Sequence, residues 1–407
     1  MISLSAIETL LACCFVLVAG RVLTSRVGVL ARYSIPDPVV GGILFAVLVF
    51  LLADFSGVTV ALEANIRPTL MLIFFGCVGL TANLKLLAAG GPRLIAFLLV
   101  LIPFVVLQNV IGLGMAWLLD LHPLMGLIAG SITLVGGHGT GAAYAGSFAD
   151  VNNIQNIMTL AMTSATIGLV LGGLIGGPVA ERLLKRHKLK GSLDRADTDL
   201  EGGNDVAGMA DSNRQAPPDS STYIVSLTAA FVCLAGGIAL ADMAQDWPVN
   251  IPNFLWCMLI GIVIRNLGGW LGLKLDDRAT EMIGTLALSI FLGLTMMTLD
   301  VGSVLALAGP LAIILLVQAI FAAVYASLVV FRALKKDYEA AVISAAFCGF
   351  SMGATATAIA NMQALVRRHG PAPESFIVVP VTGAFLVDII NVTVLTTFLS
   401  LPFVGGL

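Results

Sequence analysis

Residues 123–150 read PLMGLIAGSITLVGGHGTGAAYAGSFAD, and residues 338–366 read YEAAVISAAFCGFSMGATATAIANMQALV. Both are apolar, both are rich in Gly, Ala, Ser and Thr, and both are interrupted near the middle by glycines. Each can be counted as a full span or as a hairpin that enters and leaves on one side, and that choice fixes the topology of everything around it. A lipid setting is already implied by composition. Of 407 residues, 58% are hydrophobic and only 11% charged, against roughly 25% charged in a soluble globular chain. The mean hydropathy is +1.00. A soluble fold built from this chain would expose far too much apolar surface. Lipid leaves open strand edges unsatisfied, so the expected class is an all-α membrane protein.

Outward from the two stretches, apolar runs of spanning length recur between charges, Pro and Gly. They lie near 4–20, 36–53, 68–84, 94–119 and 156–180, then 223–241, 251–269, 281–299, 307–331 and 374–401. Charge placement decides how the glycine-rich stretches are counted. With the N-terminus outside and both stretches re-entrant, 20 of the 21 Lys and Arg residues fall on the cytoplasmic side, leaving only Arg67 outside. This satisfies the positive-inside rule. Counting 123–150 as a full span would move the basic cluster Arg182, Lys185, Arg186, Lys188 and Lys190 outside. The first hairpin therefore dips in from outside and the second from the cytoplasm, both termini are periplasmic, and the segment 181–222 is a cytoplasmic linker. Its acidic, Gly- and Pro-containing composition, without apolar periodicity, reads as disordered.

The halves 1–180 and 223–407 echo one another. Ile35-Pro36-Asp37 is matched by Ile251-Pro252-Asn253, Gly91-Pro92 by Gly309-Pro310, and Gln108 by Gln318, with the hairpins following in the same order. Five spans per half is an odd number, so the second copy must lie upside down. The expected architecture is ten transmembrane helices as two inverted five-helix repeats, each with a re-entrant hairpin, which is a construction of secondary transporters.

Chemistry is concentrated at the hairpin tips. Gly136, Gly137, His138, Gly139, Thr140 and Gly141 form the first, and Ser351, Gly353, Thr355 and Thr357 punctuate the second. Glycines let the chain turn sharply and expose backbone N–H and C=O groups, which membrane depth tolerates only beside protein or a watery cavity. Helix N-termini at a broken tip suit a carboxylate, and exposed carbonyls and hydroxyls suit sodium. Close helix packing is the plainer reading of scattered glycines, but it does not account for the clustered GGHGTG. Asp388 is the one acid well inside an apolar run. An intramembrane carboxylate is costly, and three roles remain open to it: coordinating sodium, pairing with a substrate ammonium, or hydrogen-bonding a neighbouring helix. Asn391 shares its helical face, and Asn361 follows the second tip. These three are the candidate sodium ligands.

Several classes are disfavoured. The six cysteines lie in apolar runs without CxxC or metal-ligand spacing, which argues against disulfides and zinc. No basic stripe with interleaved aromatics suggests nucleic acid. Neither His138 nor Asp388 has a nucleophile or metal-ligand partner at recognisable spacing, so an enzyme is disfavoured and no organic cofactor is expected. Leu10-Leu11-Ala12-Cys13 faintly resembles a lipoprotein cleavage site. No positive charge precedes that run, while Arg21, Arg26 and Arg32 follow it, so it reads as a retained first helix.

Met125 to Ala143 (MGLIAGSITLVGGHGTGAA), Thr166 to Pro178 (TIGLVLGGLIGGP) and Cys348 to Gln363 (CGFSMGATATAIANMQ) resemble the bacterial sodium/glutamate symporter family. Ala356 departs from the proline often found there. The resemblance implies sodium-coupled uptake of L-glutamate across the inner membrane, with both tips forming the translocation site in a homodimer whose mobile part carries that site across. A symporter of another carboxylate such as citrate or malate, or a passive channel, are the competing readings.

Overall fold

The computed structural model describes residues 2–32, 35–85, 91–152, 157–189, 218–244, 252–268, 273, 275–299, 301–401 and 404. The chain is a helical protein, as its composition requires. In order, the helices are α1 (Ala6–Arg26), α2 (Gly28–Arg32), α3 (Asp37–Ser56), α4 (Arg67–Thr81), α5 (Gly91–Leu118), α6 (Pro123–Leu127), α7 (Gly137–Asn152) and α8 (Ile157–His187). Then follow α9 (Ser220–Met243), α10 (Asn253–Leu267), α11 (Asp277–Met297), α12 (Val301–Tyr325), α13 (Tyr338–Phe350), α14 (Thr355–His369), α15 (Ser375–Val381) and α16 (Val387–Leu399). Three π-helical turns extend the series: Ile128–Ile132 after α6, Ala326–Val330 after α12, and Thr382–Leu386 joining α15 to α16.

Among the described residues, seven helices are long and apolar enough to cross a bilayer, so this is a multi-pass membrane protein. Two of the expected spans are shorter: α4 and α10 have 15 residues each, or about 22 Å of helix against a hydrocarbon core of about 30 Å. These two pack closely on each other. An added Cβ at Gly79 would sit 2.1 Å from the Met258 carbonyl oxygen, and one at Gly261 would sit 2.6 Å from that of Gly76. Only glycine allows backbones this near, which is how short helices gain packing where burial from water contributes little.

Four local features differ from the sequence reading. Ile2–Leu4 pairs in parallel with Val60–Leu62, so the first helix begins at Ala6. The second half of the Gly-Pro echo, Gly309-Pro310, lies inside α12 and not at its start. The final span passes through a π turn, whose Gly383 carbonyl accepts from Thr355, while Asn391 beyond the turn reaches Ser131. At the linker, α8 runs on through Lys185, Arg186 and His187, cations that suit a helix C-terminus. Helix α9 begins at Ser220, capped by Asp219. Of the segment expected to be disordered, residues 190–217 lie outside the described residues.

The helices divide into two packed bodies. In one, α4 lies against α10 and α11, α1 against α3, and α9 against α10. In the other, α8 lies against α7, α12, α13 and α14, while α5 lies against α6. The first half of the chain gives α1, α3 and α4 to the first body and the second half gives α9, α10 and α11, with α5 to α8 and α12 to α16 in the second. Aromatic rings mark the boundary: Phe254 of the first body touches Phe75 beside it and Tyr144 of α7 across from it, with centroids 4.5 and 5.5 Å apart.

Candidate functional site

Each glycine-rich stretch is two helical legs joined by a non-helical turn. In the first, the backbone leaves helical geometry at Gly130 (φ −101°, ψ −136°). The break is held from outside: Asn109 Oδ1 accepts from the Ser131 N–H at 3.1 Å, and Asn391 Nδ2 donates to the Ser131 carbonyl at 3.0 Å. The chain then turns at Gly137, whose φ of +68° lies in the left-handed region, and α7 starts there.

The second stretch is clamped at its base. Asp337 caps α13 by accepting from the Ala340 N–H at 2.8 Å, and its other oxygen meets Arg93 at 2.6 Å. Arg93 also pairs with Glu374 at 2.9 Å, and the Tyr338 hydroxyl donates to the Gly370 carbonyl at 2.6 Å. Every residue of α13 except Glu339 is buried, so this leg is a fixed post inside the second body. The tip, Ser351 to Ala354, is steadied by Gln108, which donates to the Ser351 carbonyl at 3.0 Å. Helix α8 presses on it so closely that a Cβ at Gly168 would lie 2.3 Å from the Met352 carbonyl oxygen.

The two tips meet. A Cβ at Gly137 would stand 3.4 Å from the Gly353 carbonyl oxygen. Around this meeting point, at the boundary between the bodies, is a cavity of about 650 Å³ lined by Gly136, Gly137, His138, Gly139, Thr140, Gly353 and Asp388, with Ala354 and Ala356 beside them. Phe74, Thr285 and Ser289 face them from the first body, and the cavity reaches Arg21 and Asp37. Helices α7 and α14 both begin at this cavity. The N-cap of α14, Ala354, offers no side chain to its first-turn N–H groups. Such groups have no partner inside their own helix and suit an anion.

His138 is anchored by Thr166, whose Oγ1 lies 3.0 Å from His138 Nε2 and 2.8 Å from the Met162 carbonyl. The contact leaves Nδ1 as the ring's other hydrogen-bonding atom.

Seven of the sequence-predicted residues therefore share one cavity, and six do not line it. Gly141 packs on Thr133. Ser351 is buried and works through its backbone carbonyl. Thr355 donates to the Gly383 carbonyl at 3.4 Å. Thr357 and Asn361 line a second cavity of about 520 Å³ between α8 and α14. Asn361 donates there to the carbonyls of Gly172 and Ala345 at 3.0 and 3.1 Å. Asn391 points at Ser131. The candidate sodium ligands Asp388, Asn391 and Asn361 thus occupy three separate places. Thr166 escaped the sequence reading because a lone threonine in an apolar helix carries no signal of its own.

A model of the sodium/glutamate symporter family matches residues 2–371. The chain belongs to that family. It is 41% identical to the sodium/glutamate symporter of Escherichia coli K12 over the full length of both chains. It is 38% identical to that of Haemophilus influenzae over 96% of each. In this member of the sodium/glutamate symporter family, the glycine-rich tips that carried the resemblance are the segments that meet at the cavity. The family is one of transporters.

Proposed function

We propose that this protein takes up L-glutamate across the bacterial inner membrane, driven by sodium, with the second body carrying the cavity between the two faces. The observation that carries this reading is the meeting of two helix N-termini, that of α14 without a side-chain cap, with one carboxylate in a single cavity. Glutamate bears two carboxylates and one ammonium. The N–H groups opening α7 and α14 receive the carboxylates, Asp388 receives the ammonium, and His138 adds a further hydrogen bond. Scarcity of intramembrane Arg favours such an amino acid over citrate or malate.

Ten crossings, arranged as two inverted repeats of 1–180 and 223–407 with hairpins re-entering from opposite faces, support an alternating mechanism. They place both termini outside and the linker in the cytoplasm. With that orientation the cavity's reach to Arg21 and Asp37 is an opening toward the cytoplasm, so the conformation is the inward-facing one. The division into two bodies with an aromatic boundary suits an elevator-like displacement, and a homodimer through the first body would give the moving part a fixed frame. Each net inward charge gains about 2.3 kcal/mol per 100 mV.

Purified protein in liposomes tests the function. Labelled L-glutamate should accumulate above its external concentration under an inward sodium gradient and not when potassium replaces sodium. Uptake that ignores sodium, or that only equilibrates, as through a channel, overturns the reading. Stronger competition by citrate or malate than by unlabelled glutamate would replace the substrate.

A further inference from the structure

Away from the cavity, where the two hairpins, α5, α12 and α16 converge, lies a knot of buried polar side chains: Gln108, Asn109, Ser131, Gln318 and Asn391, each with no solvent exposure. Bonds join them in a chain. Gln318 Nε2 donates to the Gln108 carbonyl at 2.9 Å, and Gln108 Nε2 donates to the Ser351 carbonyl at 3.0 Å. Asn109 and Asn391 grip the N–H and C=O of Ser131 from opposite sides. In three of the four carboxamides the NH2 end is used and the oxygen is left over. Gln108 Oε1, Gln318 Oε1, Asn391 Oδ1 and the Ser131 hydroxyl oxygen are buried with no hydrogen-bond partner among the described residues, as is one nitrogen, Asn109 Nδ2.

One orphaned buried oxygen costs about 1–3 kcal/mol, so four in one knot call for a common explanation. Each is an acceptor, and a hard cation takes oxygen ligands. They flank the π turn at Ile128–Ile132, where the backbone departs from the helix, and irregular carbonyls of this kind coordinate sodium in transporters. We propose that the knot is a sodium site, built from carboxamide and hydroxyl oxygens and separate from Asp388 and Asn361. The inference rests on the sodium coupling proposed above and gives it a location. Gln108 holds the second tip by its amide nitrogen while its oxygen faces the ion. Asn391 holds the first hairpin in the same way, through the Ser131 carbonyl. Binding of the ion therefore orders both tips together, which is the requirement for a coupling ion placed outside the substrate cavity.

The test uses the full chain in detergent, without glutamate, titrated with sodium at constant ionic strength against potassium. Thermal unfolding is followed through the buried thiols. Sodium should raise the unfolding midpoint selectively. Ser131→Ala, which removes only the unpartnered hydroxyl, should not lower the sodium-free midpoint and should raise the sodium half-saturation at least tenfold. Ser131→Cys, of similar volume but with a soft sulfur, should do the same and serves if the alanine variant misfolds. A sodium titration of both variants that coincides with the wild type overturns the site. Equal responses to sodium and potassium, as a bridging water would give, overturn it too. If the wild type still accumulates glutamate on a sodium gradient, the coupling stands without this site; accumulation indifferent to sodium removes the coupling itself.

Discussion

Gly137→Ala is opposed by conformation and not by space. Gly137 has φ +68°, and the one atom near an added Cβ is the Gly353 carbonyl oxygen at 3.4 Å, an ordinary contact distance. Holding an L-residue in the left-handed region costs about 1–2 kcal/mol, and asparagine tolerates it better. That cost falls on the turn that aims α7 at the cavity, and 1–2 kcal/mol corresponds to a factor of roughly 5 to 30 in an equilibrium. Gly137→Ala should therefore fold, unfold at a lower temperature, and raise the glutamate half-saturation by about that factor. Gly137→Asn, although larger, should unfold nearer the wild type. Unfolding is read from labelling of the buried cysteines Cys77, Cys233, Cys257 and Cys348, and half-saturation from liposome uptake. An alanine variant that matches the wild type in both readouts, or an asparagine variant that unfolds below the alanine one, refutes the reasoning.

Gly168→Ala sets a Cβ 2.3 Å from the Met352 carbonyl oxygen, and overpacking of this kind costs about 1–3 kcal/mol; Gly146→Ala, with open space around it, should be neutral or slightly stabilising in parallel thermal unfolding. Arg93→Ala breaks the bridges to Asp337 and Glu374 at the base of the second hairpin. Both partners are substantially exposed, so the loss should be only about 1–2 kcal/mol, seen as faster labelling of Cys348 in α13, and unchanged labelling would mean the base is held by other contacts.

The two glycine-interrupted stretches were legible as paired helical legs because glycine clusters in an apolar chain have few other uses. The site was legible only where a residue's type announced its surroundings. His138, Thr140 and Asp388 line the cavity as expected. Thr357 and Asn361 do not, because one further turn of α14 carries a side chain from the tip to the opposite face of the hairpin, against α8. Gln108 and Gln318 stood out in the sequence only as an echo between the halves, and only the fold reveals that their amide nitrogens are engaged and their oxygens are not. The division into two bodies had no sequence signal, since it depends on which short helices let their backbones touch. Gly79 and Gly261 do so from opposite halves of the chain.

Side-specific labelling tests the central claim most directly. Thr140→Cys and Thr355→Cys, each in a background where the exposed Cys14 is replaced by serine, are reconstituted and treated with a membrane-impermeant thiol reagent from one face at a time. Thr140 lines the cavity, and Thr355 opens α14 at the second tip. Both positions should react from the cytoplasmic face in one condition and from the periplasmic face in another, with sodium and glutamate shifting the balance. Reaction of both positions from a single face under every condition would contradict a cavity carried across the membrane by the two tips.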